Sequence, residues 1–502
     1  MLSRRTLCAF LCTLPLAARA QFLDLDMPHF GKLRAFSAPD YTLITQDAGT
    51  AKLLVNDLAS LDKLLATVLE RERRPSGKPT SIYVIRAESW HSLLDHYPGT
   101  VFLPQRFANY ILVHDHQRGS SLRSLIYPEY ARLFLHEQLG GQYPLWFEEG
   151  LAGTMLGLRP RRDSASVMNP DLIPMWVNPS VGFVFLSERR TAHAIPLHLF
   201  MQVDAASLEG RDWRVVDAFN YQAWSTVYRA LFVDSVRRGQ TLRYLKAYEV
   251  GQPLDSAVEA AFGLRIGQLD ETLRTPERLP PDGVRFKFPP IEAAKLPTPR
   301  NIDATEALTL LANALIESSK DGVAVDTLLE QAASLSPNSN SVRTLRLLRL
   351  AQTRDDAAFM KELQALEPAT QDIEVARAVG LALAERIRDA EGPPGIRERA
   401  YELLDRSLAA RPDDAEAAWA FGLVAAQLTR ELPLAERRLQ RAGELVPRSA
   451  DIETARAYVY AALGQREQTA SSLEAVAAYS RQPEQQAWAR KRLQAMRAGD
   501  PR

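Results

Sequence analysis

The sequence predicts a chain of α+β class, mainly α overall, in which an α+β unit is followed by a solenoid of stacked helical hairpins. Three observations carry this. Leu53, Leu54, Leu58, Leu61, Leu64, Leu65, Val68 and Leu69 recur at helical spacing between two strand-like runs, the pattern of a helix that covers a sheet. Prolines then gather at Pro280, Pro281, Pro289, Pro290, Pro297 and Pro299. Beyond them Ala, Leu, Arg and Glu dominate, and Pro337, Pro368, Pro412, Pro447 and Pro483 follow at intervals of 31, 44, 35 and 36 residues.

In chain order, Met1-Leu2-Ser3-Arg4-Arg5 is a basic start, Leu7 to Leu16 a short apolar core and Ala18-Arg19-Ala20 a small-residue cleavage signal. Residues 1–20 read as a bacterial export signal that directs the chain to the periplasm or outside the cell. Ser3-Arg4-Arg5-Thr6-Leu7 resembles a twin-arginine motif, which leaves that route open beside the general one. Both cysteines, Cys8 and Cys12, fall inside this segment, so the mature chain has no disulfide. The α+β unit, residues 21–280, is expected to hold a strand at Tyr41 to Thr45, a helix from Ala51 to Arg73 and a strand at Ser81 to Arg86. A helix near Ser89 to His96 and a strand carrying His114 and His116 follow. Residues 281–302 read as a proline-rich linker and 303–502 as the hairpin array.

Composition narrows the function. The 502 residues carry 61 basic and 61 acidic side chains, so no basic excess is available to release counterions from nucleic-acid phosphates. After the signal no apolar run approaches the length of a membrane span. There is no G-x-S-x-G nucleophile motif and no phosphate-cradling glycine loop.

The chemistry-bearing stretch is YPEYARLFLHEQLGGQYPLWFEEGLAGTM, residues 127–155. Its second part, Pro144-Leu145-Trp146-Phe147-Glu148-Glu149-Gly150-Leu151-Ala152, resembles the PLWxxEGLA helix of the peptidase MA-like, or gluzincin, metallopeptidases. Phe219-Asn220-Tyr221-Gln222-Ala223-Trp224 is similar to the FYxQSW helix that follows it in that family. The resemblance implies a zincin-like fold in which Glu149 matches the third zinc ligand and Glu129 the catalytic base of HExxH. The two histidine positions of that motif hold Pro128 and Arg132. A catalytic zinc takes three protein ligands and a water, so a lone Glu149 does not make a site. Pro128 either opens a helix or kinks one. Arg132 brings a permanent cation one turn from Glu129 and, if the family fold holds, near Glu149, where its charge replaces the metal's.

Two functional readings follow. The first is an exported, non-catalytic zincin-like pseudopeptidase that binds proteins or peptides and needs no cofactor. The second is an active metallopeptidase with Glu129 as base, Glu149 as ligand and relocated ligands among His114, His116 and His136. Only this second reading calls for zinc. A metal-free acid/base pair of Glu129 and Glu149 is weaker, because Arg132 beside them lowers both pKa values. The proline period lies close to the roughly 34-residue tetratricopeptide repeat, and RSLAARPDDAEAAW and RAGELVPRSADIETA resemble successive copies of one hairpin junction. That likeness implies a concave groove for a protein or peptide partner.

Overall fold

The computed structural model describes residues 32–498 apart from 72–76, 86–99, 115–120, 140–142, 169–174, 179–181, 186–194, 209, 275–279, 281–282, 293–294, 318–321, 354, 389–394 and 481. The expected export signal of residues 1–20, the expected helix near Ser89 to His96 and the residue His116 lie outside the described residues.

A six-stranded mixed sheet organises the first half. Its strands are β1 (Arg34–Ser37), β2 (Thr42–Thr45), β3 (Thr80–Ile85), β4 (Thr100–Pro104), β5 (Asn109–His114) and β11 (Arg300–Asn301), in the order β11-β1-β2-β3-β5-β4. Strands β2, β3 and β5 run parallel, with Thr42 opposite Ser81 and Thr80 opposite Asn109. The edges are antiparallel, with Phe102 opposite Ile111 and Arg34 opposite both Thr45 and Asn301. Helix α1 (Ala48–Val68) makes the crossover from β2 to β3. It starts three residues before the expected Ala51 because Asp47 caps it, its carboxylate accepting from the amides of Gly49 and Thr50 at 3.0 and 2.9 Å. It ends at Val68, short of the expected Arg73, where Glu70 turns the chain at φ 52°.

Side chains alternate across the parallel strands. Leu43, Ile82, Val84, Ile111 and Val113 pack with α1 and α2 (Ser121–Leu139). On the other face Ile44, Tyr83, Ile85, Tyr110 and Leu112 pack against the first helices of the array. Both faces are therefore buried, which explains why these strands read as near-continuous apolar runs.

Behind α2 lies α3 (Leu145–Leu156), then a ribbon of β6 (Leu158–Pro160), β7 (Ser164–Val167) and β10 (Val284–Lys287), and a separate pair β8 (Met175–Asn178) and β9 (Gly182–Phe185). Short helices α4 (Leu197–Phe200) and α5 (Ala205–Leu208) lead into α6 (Trp213–Tyr228), α7 (Ser235–Glu249), α8 (Leu254–Phe262) and α9 (Ile266–Arg274). The stretch expected as a plain linker is in part built into the fold. Val284 to Lys287 extend the β7 edge, and Arg300-Asn301 close the main sheet beside β1. Prolines keep the residues between them extended, and extended backbone at a sheet edge finds partners.

Hairpins follow: α10 (Ala304–Leu315) with α11 (Gly322–Leu335), α12 (Asn340–Thr353) with α13 (Asp356–Leu366), α14 (Ile373–Ile387) with α15 (Ile396–Ala410), α16 (Ala415–Leu428) with α17 (Leu432–Leu445), α18 (Ala450–Ala462) with α19 (Arg466–Tyr479), and then α20 (Pro483–Arg497). Pro337, Pro412 and Pro447 stand just past helix ends, and Pro368 lies in a 3-10 turn after α13. Pro483 differs from these: it opens α20, where its missing amide costs nothing. The stack is pinned by acid–base pairs between neighbouring hairpins, such as Arg377 with Glu416 at 2.7 Å and Arg438 with Asp405 at 2.8 Å.

Array and sheet unit are in direct contact. Glu249 at the end of α7 bridges Arg71 at 3.1 Å and Arg448 of the array at 2.8 Å. Gly77, at φ +72°, approaches so closely that a Cβ there would lie 1.6 Å from the Leu445 carbonyl oxygen.

Candidate functional site

Helices α2 and α3 bring Glu129, Arg132 and Glu149 together. The local reasons are visible in sequence. Helix α3 starts directly after Pro144, whose extended backbone sets the entry, and Trp146, Phe147, Leu151 and Met155 bury it. Gly150 and Gly153 face α6, where a Cβ on Gly150 would meet the Ala223 carbonyl oxygen and Val227 Cγ2, both at 2.4 Å. The two motif stretches, around Glu149-Gly150 and around Ala223-Trp224, are thus the two sides of one close helix crossing. Pro128 lies inside α2, beyond its first turn, and is buried there. Of the two options the sequence left open, the interior one holds, at the cost of a helical hydrogen bond.

Arg132 Nη1 donates to Glu129 Oε1 at 2.6 Å, and its Nη2 donates to Glu149 Oε2 at 2.7 Å. The second Glu129 oxygen accepts from the Phe102 amide of edge strand β4 at 3.0 Å. The Glu129 side chain is 9% exposed, against 21% for Arg132 and 25% for Glu149. The guanidinium thus lies between two carboxylates on different helices, one of them almost fully desolvated. Burial pushes the Glu129 carboxyl above its usual range; Arg132 pulls it back and Glu149 pushes it up further. Burial works against the Arg132 charge, but Glu129 and Glu149 together hold its pKa above the ordinary value.

Because the folded pKa of Glu129 is raised, the unfolded state loses that proton first as pH rises. Its contribution therefore weakens the fold from about pH 4.5 upward, until the folded carboxyl also ionises. Glu129→Gln is expected to remove this part of the slope. Urea unfolding at steps from pH 4 to 7 checks it, and parallel curves for the two proteins would refute it.

The donor set does not suit a metal. Pro128 offers no side-chain donor, Arg132 is a cation, and both carboxylates are committed to it. Among the described residues no three of His, Cys, Asp or Glu are grouped as a metal site requires. His136 packs edge-on against the Phe102 ring, centroids 5.6 Å apart. His114 closes β5, and its side chain, like the whole of His116, lies outside what is described.

Two features were missed in the sequence. Asp57 of α1 accepts from Tyr127 Oη and Arg123 Nε, each at 2.7 Å, and so ties α1 to the start of α2 beneath the site. No motif announces it, although a lone Asp on the apolar face of a leucine-rich helix is a usable signal. The second is the β4–β5 turn, Gln105-Arg106-Phe107-Ala108, which enters the groove of the hairpin array. Gln105 Nε2 donates to the carbonyls of Asn313 and Ala314 at the end of α10, at 3.1 and 2.8 Å. The Arg106 amide donates to Glu317 at 2.9 Å, and its guanidinium reaches Glu385 at 3.3 Å and Asp451 at 3.6 Å. That guanidinium also lies 4.4 Å above the Trp419 ring, and buried Phe107 packs against the same ring at 5.6 Å.

No family model matches the chain, and no curated protein does. Among solved structures it is similar to a thermophilic TPR protein of Thermus thermophilus, with 18% identity over 37% of this chain and 97% of that one and a TM-score of 0.32. It is also similar to PilW, described as a widely conserved type IV pilus biogenesis factor, with 17% identity over 36% of this chain and 80% of that one and a TM-score of 0.30. A mutant of MamA aligns at 17% identity over 35% of this chain and 97% of that one, with a TM-score of 0.27. The hairpin array rests on the packing described above, not on these scores.

Proposed function

We propose that this chain is an exported, non-catalytic protein- or peptide-binding scaffold, in which a zincin-like unit has lost its metal chemistry and the helical-hairpin array carries the interaction. The observation that supports it most is the Arg132 guanidinium held between Glu129 and Glu149. A general base needs an oxygen within reach of its water, and both Glu129 oxygens already accept hydrogen bonds. A cation at this position supplies the charge balance that a divalent ion would supply to two facing carboxylates, without an open coordination position. No helix among the described residues is long and apolar enough to cross a membrane. The residues at 1–20 support export.

Zinc content of the mature chain, purified without chelators, is the test. The wild type is expected to carry none, and Pro128→His with Arg132→His is expected to take up about one zinc per chain that is lost on adding Glu149→Ala, because that set completes three protein ligands. Near-stoichiometric zinc in the wild type, abolished by Glu149→Ala alone, would refute the proposal in favour of a metallopeptidase with relocated ligands.

A further inference from the structure

We propose that the groove of the array is a binding site for an extended peptide that presents an arginine beside an aromatic residue, and that the β4–β5 turn is its resident occupant. This rests on the reading of the array as an interaction surface and adds the ligand's chemistry and its control. The seated turn shows what the groove accepts. Gln105 takes the last carbonyls of α10, Arg106 reaches Glu385 and Asp451 from the face of Trp419, and Phe107 packs on that ring. These contacts come from helices α10, α14, α16 and α18, so one short turn touches four of the five hairpins named above.

The turn does not fill the space. A cavity of about 800 Å³ remains beside it, running from Pro79 and Tyr110 on the sheet side to Asp413, Asp414 and Val446 on the array. Counted on the array side, its walls carry five carboxylates, Glu317, Glu385, Asp413, Asp414 and Glu416, against the two guanidiniums of Arg377 and Arg411. Both guanidiniums are already paired, Arg377 with Asp414 and Glu416, Arg411 with Glu374. Two of these acids also meet cations beyond the wall, Asp413 with Arg441 at 2.7 Å and Glu385 with Arg388 at 2.8 Å, so the call for a cationic ligand comes from the acids gathered around Arg106, Glu317, Glu385 and Asp451. A peptide of the same chemistry from a partner meets a tethered competitor whose effective concentration is in the millimolar range, so the turn holds apparent affinity down until it is displaced.

The probe is a fluorescein-labelled peptide with the sequence of residues 102–109, titrated by anisotropy into the full mature chain. The wild type is expected to bind at least tenfold more weakly than Arg106→Ala with Phe107→Ala, whose groove is vacated. Neutralising the groove with Glu385→Gln and Asp451→Asn in that background is expected to reverse the gain. Arg106→Gln, which leaves Phe107 packed, gives an intermediate affinity and carries the test should the double variant fail to unfold cooperatively. Equal binding to wild type and a folded vacated variant overturns the proposal, as does binding indifferent to the two acid substitutions. A diverse peptide array probed with both proteins separates the failures. Peptides bound without regard to Glu385 and Asp451 leave the chain a binder and overturn the groove's assignment alone, whereas no binding at all overturns both readings.

Discussion

Arg132→Ala is expected to cost the fold about 3 kcal/mol at pH 7.5, the scale seen when one partner of a buried ion pair is removed and the other is stranded. Two carboxylates lose their counter-ion together. Glu129, 9% exposed, has little water to replace the guanidinium, while Glu149 at 25% recovers part of its hydration. The loss is capped because Glu129 escapes by taking a proton, and each pKa unit by which it is raised costs about 1.4 kcal/mol. The sign follows. With the folded pKa raised further in the variant, the penalty is absent below the unfolded carboxylate value near 4.5, grows as pH rises through it and levels off above the folded value. Urea unfolding at pH 5 and 7.5 measures this, and the deficit at pH 5 should be the smaller. Glu129→Gln and Glu149→Gln added to Arg132→Met should restore most of the stability, since a neutral, filled site strands no charge. A deficit under about 1 kcal/mol at both pH values would reduce the trio to a solvated surface pair.

Gly150→Ala is the second large effect, an expected loss of about 2–3 kcal/mol. The added methyl would lie 2.4 Å from the Ala223 carbonyl oxygen and 2.8 Å from its carbon, and backbone does not rotate away as a side-chain end does. Helices α3 and α6 must separate along a fully buried crossing that includes Phe147, Leu151, Trp224 and Val227. Against this stands the usual gain of roughly 0.5–1 kcal/mol for Ala over Gly inside a helix. Gly239→Ala, within α7, isolates that gain, because its Cβ meets only the Arg243 guanidinium at an ordinary 3.7 Å. Chemical denaturation should shift the two variants in opposite directions. A neutral Gly150→Ala would mean that the crossing is loose enough to relax.

The legible parts of the sequence were those with a local signal. The leucines of α1 recur along one face, the central strands are runs of β-branched and aromatic residues, and the hairpin junctions carry prolines at regular intervals. The approach of Arg132 to Glu129 follows from helical spacing, whereas its approach to Glu149 is expected only on the PLWFEEGLA resemblance. Helix α2 has no clean polar face, since Ile126, Tyr127, Tyr130, Leu133, Phe134 and Leu135 are all buried around it. The edge strands escaped for physical reasons. β1 is four residues long, β4 ends in a proline and β11 spans two residues among prolines, so none displays enough alternation to read. The seating of the β4–β5 turn joins residues more than two hundred positions apart, from Gln105 to Ala314, and no local pattern encodes such a contact.

The closing of the main sheet by β11, and the covering of its second face by α10 to α12, set an order of events during synthesis. Ala35, Ile44, Tyr83, Ile85, Tyr110 and Leu112 are made early, but their apolar cover, from Ala307 to Val342, emerges some two hundred residues later. Until then a chain leaving the ribosome holds a half-clad sheet with an unpaired margin at β1, the kind of surface on which other chains aggregate. A break anywhere between Lys287 and Arg300 would leave two fragments, each with a greasy face meant for the other.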